Sequence, residues 1–240
     1  EFTVEFWYYQ TNFSGGDENI VGTELSQRFQ VENQHGDWSA YFSIDGTCNA
    51  CIDYWNSSDN TPTLIQNTWH HFAASYDGSN IRFYLNGSLL QSKTVSLPTF
   101  SIITEDLVIN RHTWSGGSSS SSRLSGHLDE LRISNVARYT SDFTPPQYEF
   151  QSDNNTVGLW HFNEGTGSQI LDATSNNNDG TANGTSWSSN MPFTSYNTPS
   201  TNNYTYSWSP SGETTSSITV QPTTTTTYTV DVTSGTTTCQ

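Results

Sequence analysis

Two pairs of neighbouring acidic residues and one pair of histidines are the first candidates for chemistry. They are Asp129-Glu130, Glu105-Asp106 and His70-His71. A retaining glycosidase needs two carboxylates about 5–5.5 Å apart beside the sugar bond. Neighbouring residues on a strand point to opposite faces of the sheet. We therefore expect no catalytic dyad from either acidic pair, and we expect the two histidines to make separate hydrogen bonds rather than share one metal ion.

Three tryptophans in or beside polar segments are candidates for stacking on a sugar ring. They are Trp38, Trp55 and Trp114, with Asp53, Asn56 and Arg111 close to them in sequence. Ligand sites of this kind combine an aromatic surface with a few polar side chains that fix orientation. Each tryptophan has an alternative role, which is to close one end of the hydrophobic core. Both interpretations stay open at this point.

The chain has three cysteines. Cys48 and Cys51 lie in a segment rich in Gly, Asn and Asp, where we expect a loop and predict a local disulfide, with two free thiols as the alternative. Neither a helical start for a redox motif nor a second Cys or His pair for zinc accompanies them. Cys239 is left over, and we expect its partner in another chain or in another part of a longer polypeptide.

The charge balance excludes several classes of partner. The 240 residues include 7 Lys and Arg against 23 Asp and Glu, which gives a formal net charge of −16. Nucleic-acid binding needs clustered cations to neutralise phosphates, so we expect no nucleic-acid partner. No apolar run approaches the roughly 20 residues of a membrane span, so we expect no direct membrane insertion. High acidity suits an extracellular setting.

The elements that position these residues have the period-two pattern of β-strands. Phe2, Val4 and Phe6 alternate with Thr3 and Glu5, and Asp77-Gly78 and Asn86-Gly87 are hairpin signals. We predict strands over 2–9, 38–44, 69–76, 81–85, 106–110, 128–134 and 157–162. Many short strands with frequent turns predict an all-β sandwich or jelly roll.

Composition divides the chain into three parts. We predict a β-sandwich over 1–191, a linker over 192–203 that is rich in Pro, Asn, Ser and Thr, and a small β module over 204–240. The module has predicted strands at 204–208, 217–220 and 226–233. Domains below about 40 residues usually need staples or partners, so we expect this module to depend on a neighbour.

Five motifs in chain order carry a family resemblance. They are Phe2-Thr3-Val4-Glu5-Phe6-Trp7, Thr68-Trp69-His70-His71-Phe72-Ala73 with the two turns that follow it, Gly126-His127-Leu128-Asp129-Glu130-Leu131-Arg132-Ile133, Ala137-Arg138-Tyr139-Thr140, and Leu159-Trp160-His161-Phe162-Asn163-Glu164-Gly165 with the loop 172–180. Together they resemble the laminin-G-like, concanavalin A-like lectin/glucanase domains of bacterial surface adhesins, which implies an antiparallel jelly-roll sandwich. Segments 207–210 and 222–230 are similar to immunoglobulin-like adhesin repeats, of which only the second half is present.

The resemblance also implies a calcium site and argues against catalysis. Its late Gly-x-x-Asp-Glu strand places Asp129 where members commonly bind structural calcium, with Asn163, Glu164 and Asp172 as companion ligands. Calcium prefers such oxygen donors. The alternative is that Asp172 and residues 176–179 only form a turn. The Glu-x-Asp-x-x-Glu signature of glucanases with this fold is missing from the sequence.

These observations predict a non-catalytic adhesion module, not an enzyme. We expect it to bind a glycan or a cell-surface protein as part of a large secreted bacterial protein at the cell surface. The alternative is a structural segment of an extracellular fibre or appendage, assembled through β-strand and disulfide contacts. That alternative predicts self-association or contacts with neighbouring domains of the same long chain.

Overall fold

A computed structural model describes eleven segments of the chain, which are residues 1–12, 17–23, 29–34, 37–44, 47–52, 65–94, 107–109, 125–193, 204–215, 217–234 and 237–239. It divides into two compact units, Glu1–Thr194 and Ser195–Gln240.

The described residues form strands and no helix. The strands are β1 Phe2–Gln10, β2 Asp17–Thr23, β3 Phe29–Gln34, β4 Asp37–Ile44, β5 Thr47–Ile52, β6 Trp69–Tyr76, β7 Asn80–Leu85, β8 Ser88–Thr94, β9 Leu107–Ile109, β10 Gly126–Ser134, β11 Thr156–Trp160, β12 Gln169–Ile170, β13 Gly180–Thr181, β14 Tyr204–Ser209, β15 Thr229–Ser234 and β16 Thr237–Cys239. Over the same residues there is accordingly no helix long and apolar enough to cross a membrane.

Two antiparallel sheets build the first unit. One has six strands in the order β11-β10-β1-β6-β7-β8, and the other has five in the order β5-β4-β3-β2-β9. A short ladder of β12 and β13 stands apart from both sheets. The prediction of an all-β antiparallel sandwich is confirmed.

The main core lies between the two sheets. Phe6 and Tyr8 of β1, with Phe72 of β6, pack in one cluster with Ile20 and Val21 of β2. These five side chains are at most 2% exposed. Their burial is the largest favourable contribution to holding the sheets together.

The opposite face of the six-stranded sheet, here called the outer face, is also covered. Trp7 of β1 forms a second cluster there with Phe150, Leu159 and Phe193. Phe150 and Phe193 come from irregular segments that follow β10 and β13. Because both faces of the sheet are covered at β1, this strand is buried along most of its length. Its alternating side chains therefore all point to buried surroundings, and neither of the two sets simply faces solvent.

Some predictions about elements are wrong. Residues 217–220 form no strand, and the segment around Cys48 and Cys51 is strand β5 rather than a loop. Cα atoms three residues apart in a strand are about 10 Å apart, whereas a disulfide needs less than about 7 Å. This spacing is wider than a disulfide normally spans, but the side chains of Cys48 and Cys51 lie outside the described part of the structure, so the bridge between them stays a prediction.

The second unit contains a three-stranded antiparallel sheet in the order β14-β15-β16. Its immunoglobulin-like character stays a prediction, as do the limits of the linker. Phe193, which falls inside the predicted linker, packs in the first unit against Trp7 with the ring centroids 5.7 Å apart.

Candidate functional site

Strand β10 contains a bulge at the Gly-x-x-Asp-Glu motif. Arg132 is opposite Glu5 and Asp129 is opposite Trp7, so β10 has one more residue than β1 between these pairs. Glu130 lies in the bulge with a φ of 53°. A left-handed backbone costs a residue other than glycine about 1–2 kcal/mol, so the surrounding contacts must hold it in place.

A second strained residue lies across from this bulge. Phe162, which follows β11, has a φ of 58°. Bulky residues rarely adopt this conformation outside special sites. Its neighbour His161 places Nδ1 2.6 Å from Oε1 of Glu130. Two strained backbone positions therefore flank one contact between a carboxylate and an imidazole.

Further polar side chains surround that contact. The second carboxylate oxygen of Glu130 accepts the Phe150 N–H at 2.7 Å. Glu149 accepts a hydrogen bond from the amide of Asn163, also at 2.7 Å. Glu130, Glu149 and His161 each offer one ligand atom, and these atoms all lie within 4.8 Å of one another. We call Asp129, Glu130, Glu149, His161 and Asn163 the acidic cluster.

Mutual repulsion and burial set the charges of this cluster. Burial, together with the charges of Glu130 and Glu149, raises the pKa of Asp129 to about 7. Burial also raises the pKa of Glu130, against the opposing influence of His161. Burial alone would lower the pKa of His161, but its hydrogen bond to Glu130 outweighs this and raises it. The site thus holds more negative charge than its own imidazole compensates, which a bound cation would relieve.

The donor set fits calcium through its oxygens only. Carboxylates and a carboxamide are the hard ligands that calcium prefers, and Asp129, Glu149 and Asn163 supply them. An imidazole bound to a carboxylate is not such a ligand. His161 therefore fits the role of a partner that fixes Glu130.

Two of the four predicted calcium ligands are linked to Glu149, Asp129 through its charge and Asn163 through a hydrogen bond. Asp129 and Asn163 belong to the acidic cluster. Glu164 instead accepts the Leu171 N–H at 2.8 Å. Asp172 is 8% exposed and accepts backbone N–H groups of Leu159, Thr174 and Asn178, which closes its own loop. Both residues stay predicted ligands, but each has a described structural role.

Sequence reasoning missed Glu149 and His161. Glu149 lies in an irregular segment without a pattern, and His161 is one polar residue inside a motif quoted for its aromatic residues. Strict alternation along a strand would place Asp129 and Glu130 on opposite faces of the sheet. At the bulge this alternation is interrupted, and the charges of the two carboxylates interact. The sequence did contain one signal for a site, which is the acid pair Asp129-Glu130. Two adjacent carboxylates on a buried strand need cations or hydrogen bonds to compensate their charge.

The three predicted stacking tryptophans are not tested by the structure. Trp55 and Trp114 lie outside the described residues. Trp38 is on β4 opposite Asn33 of β3, but side chains of these strands are not described. All three stay predictions.

A buried ionic hub fixes the segment that carries Glu149. Glu5 is fully buried and binds Arg132 through Nε at 2.9 Å and Nη2 at 2.7 Å. It also accepts the Tyr139 hydroxyl at 2.8 Å and lies 3.3 Å from Nε2 of His71. These partners outweigh burial and lower the pKa of Glu5. The hub anchors residues 135–151 on the outer face.

The two histidines serve separate contacts. His71 faces Glu5 on the outer face, whereas His70 pairs through its ring nitrogens with the Asn86 amide at 3.0 Å and the Ile65 carbonyl at 3.1 Å. Burial lowers the pKa of His70. This arrangement makes them structural groups.

A family model described as the concanavalin A-like lectin/glucanases superfamily matches residues 1–143. The chain belongs to this superfamily. The match covers the strands β1 to β10 and ends within the segment that follows β10, so it includes Asp129 and Glu130 but not β11. No curated protein matches the sequence.

Several solved structures are similar to this superfamily member. One is a proposed carbohydrate-binding protein from Bacteroides ovatus ATCC 8483, with a TM-score of 0.58 and 19% identity over 74% of this chain and 50% of that chain. The present chain thus spans half the length of that protein. A heptameric SAP-like pentraxin from Limulus polyphemus has a TM-score of 0.40 and 16% identity over 57% and 65% of the two chains.

A further structure is domain 4 of AbnA, a GH43 extracellular arabinanase from Geobacillus stearothermophilus, in complex with arabinotriose. It has a TM-score of 0.40 and 18% identity, over 60% of this chain and 63% of that one. At 19% identity, the likeness to the Bacteroides ovatus protein concerns the fold alone.

Proposed function

We propose that the chain is a non-catalytic carbohydrate-binding module of a secreted bacterial surface protein. The observation that supports this most is the superfamily match over residues 1–143, which includes all strands of the two sheets except β11. The acidic surface of the protein and its half-buried aromatic side chains suit a polar, uncharged ligand. Its partners would be glycans on a cell or in the surrounding matrix.

The acidic cluster is the one described arrangement that resembles a hydrolytic pair. Glu130 and Glu149 each have an oxygen within 4.8 Å of the other, close to the spacing of about 5–5.5 Å in retaining glycosidases. Glu130, however, is 1% exposed, and its two oxygens are bound to His161 and the Phe150 N–H. A carboxylate held in this way is not free to attack or protonate a sugar, so the proposal is binding without cleavage.

Calcium is the proposed structural ion. Asp129, Glu149 and Asn163 would hold it, and Glu164 and Asp172 are the further ligands that the family resemblance implies. Its charge would compensate the excess carboxylates and stabilise the fold by mass action. The fibre segment joined by strand and disulfide contacts stays the alternative prediction.

The test is a screen of the purified chain against a panel of neutral and acidic glycans, once with calcium and once with a chelator. Saturable binding of at least one glycan without release of reducing sugar supports the proposal. Absence of binding across the panel by a folded protein contradicts it. If the parent releases reducing sugar and the Glu149→Gln variant does not, the chain is an enzyme and the proposal is wrong.

A further inference from the structure

We infer that Tyr9, Trp69 and His127 form the ring-stacking surface of the carbohydrate site, and that this surface accepts neutral sugars. The inference rests on the proposed function and adds a place and a ligand class to it. The three residues lie in one row across three neighbouring strands, since Tyr9 is opposite Trp69 of β6 and opposite His127 of β10. We call them the aromatic row.

The rings of the aromatic row contact one another. Their centroids are 5.5 Å apart for Tyr9 and Trp69, 5.3 Å for Tyr9 and His127, and 6.2 Å for Trp69 and His127. All three side chains are half-buried. The ring planes are inclined to one another by 57°, 60° and 39° in the same order, so the row is a stepped aromatic surface that is partly open to solvent.

The next row along the same sheet face, which includes Trp7 and His71, is almost fully covered by other side chains. Trp7 and His71 are 8% and 0% exposed. Trp7 packs edge-on against Phe193, and His71 packs edge-on against Phe150. The layer that buries these side chains leaves the aromatic row partly uncovered, although the row continues the same face.

Polar groups at the row suit sugar hydroxyls. The indole N–H of Trp69 donates to Oδ1 of the exposed Asn190 at 3.2 Å, which fixes the ring and leaves the amide of Asn190 at the edge of the surface. The two ring nitrogens of His127 are further hydrogen-bonding groups for such hydroxyls. The apolar C–H face of a pyranose is attracted to the negative face of an aromatic ring, while its hydroxyls need such partners.

The charges near the row favour a neutral ligand. Asp129 lies two residues from His127 on β10, and its opposite residue is Trp7 in the neighbouring row. The three arginines with described ion pairs are already bound to carboxylates, since Arg82 pairs with Asp77, Arg132 with Glu5 and Arg138 with Asp153. None of these three arginines is therefore left unpaired for a sialic or uronic acid, whereas a neutral sugar needs no such cation.

The experiment compares variants of the whole chain on immobilised neutral polysaccharides (glucan, xylan, arabinan, mannan and galactan) and on the acidic polymers polygalacturonate and alginate. The test variants are Tyr9→Ala and Trp69→Leu. The matched control is Trp187→Leu, because Trp187 is also half-buried and its indole also donates one hydrogen bond, to the Gly167 carbonyl at 2.9 Å. Trp55→Leu and Trp114→Leu probe the other predicted surface. Thermal unfolding and light scattering show that each variant is folded and monomeric to the same degree as the parent.

We expect the parent to bind a neutral polysaccharide and each test variant to bind it about tenfold more weakly or worse, with Trp187→Leu unchanged. Parent-like binding by both folded test variants, or loss in Trp55→Leu or Trp114→Leu alone, overturns the inference and leaves the carbohydrate-binding function intact. Binding of the acidic polymers only also overturns it. A parent that binds none of the polymers overturns the function and the inference together.

Discussion

Nδ1 of His161 lies 2.6 Å from Oε1 of the buried Glu130, and a left-handed residue is present on each side of that contact, at Glu130 itself and at Phe162. The same carboxylate binds the backbone of Phe150, whose ring covers Arg132 at 4.4 Å from the guanidinium carbon to the centroid. One side chain thus joins β10, the segment after β11 and the covering layer of the outer face.

Glu130→Gln should weaken that junction. The substitution keeps the size of the side chain but replaces one of its two acceptor oxygens by an NH2 donor, which would face either the Phe150 N–H or Nδ1 of His161 while the group stays buried. We expect a loss of about 1–3 kcal/mol in the free energy of unfolding, measured by urea denaturation. Glu164→Gln is the matched control, because that half-buried carboxylate has one described hydrogen bond, to a backbone N–H. Equal stability of the two variants would contradict the role assigned to Glu130.

Asp129 should make stability depend on pH around neutrality. Its pKa is raised from 3.8 to about 7 in the folded protein, so the native state binds the proton more tightly than the unfolded state. The stability that this gives is complete below pH 3.8 and is lost as the pH rises through 7. His161, whose pKa is also raised, acts in the same direction.

The measurement is the unfolding free energy between about pH 5 and 8, where the lowered pKa values of Asp77 and Asp153 have little effect. Asp129→Asn should reduce the slope. Added calcium should raise the melting temperature more at the upper end of this range, because the metal needs the ionised carboxylate. The same slope in parent and variant would show that Asp129 does not titrate there.

Glu5 should be among the most sensitive positions in the first unit. Glu5→Gln leaves the buried guanidinium of Arg132 without its charge partner, and breaking a buried pair in this way costs about 3–5 kcal/mol. Asp153→Asn is the control at a more exposed pair, since Asp153 is 47% exposed and binds Arg138. Exposed pairs contribute about 0–1 kcal/mol. Chemical denaturation should therefore give a clearly larger loss in the free energy of unfolding for Glu5→Gln than for Asp153→Asn. Similar losses for the two variants would refute the stabilising role assigned to Glu5.

Gly87 should be essential for docking the segment after β10. A Cβ added there would overlap the carbonyl oxygen of Phe143, and the residue has a φ of 80°. Gly78 has a φ of 93° but open space around the same position, so Gly78→Ala isolates the backbone cost. We expect Gly87→Ala to lower the melting temperature by several degrees more than Gly78→Ala. Indistinguishable melting temperatures of the two variants would show that the segment containing Phe143 moves away from the added methyl group without a loss of stability.

The strands that sequence predicts best are those with strong local signals. β6 and β7 have β-branched and aromatic residues, and the Asp-Gly and Asn-Gly turns at their ends define the hairpins. β2, β3 and β8 were not predicted, because their sequences DENIVGT, FQVENQ and SLLQSKT are too polar to show an apolar alternation. They form through pairing with neighbours, which is a tertiary effect.

The candidate site was predictable only in part for a similar reason. Asp129 and Asn163 lie in motifs that the family resemblance identifies. Glu149 and His161 reach the same cluster because a bulge turns β10 and an irregular segment is anchored by Glu5, and neither event has a local sequence signature. Side chains alternate between the two faces of a sheet only in regular strands. This alternation fails at Glu130, which lies in the bulge of β10.

The most direct test of the account is calorimetric titration of the intact chain with neutral oligosaccharides in the presence of calcium, followed by analysis of the recovered sugar. The account predicts saturable heat for at least one oligosaccharide, which is recovered at its original length. Shortened sugar, or no heat from any oligosaccharide added to folded protein, would contradict a module that binds carbohydrate without cleaving it.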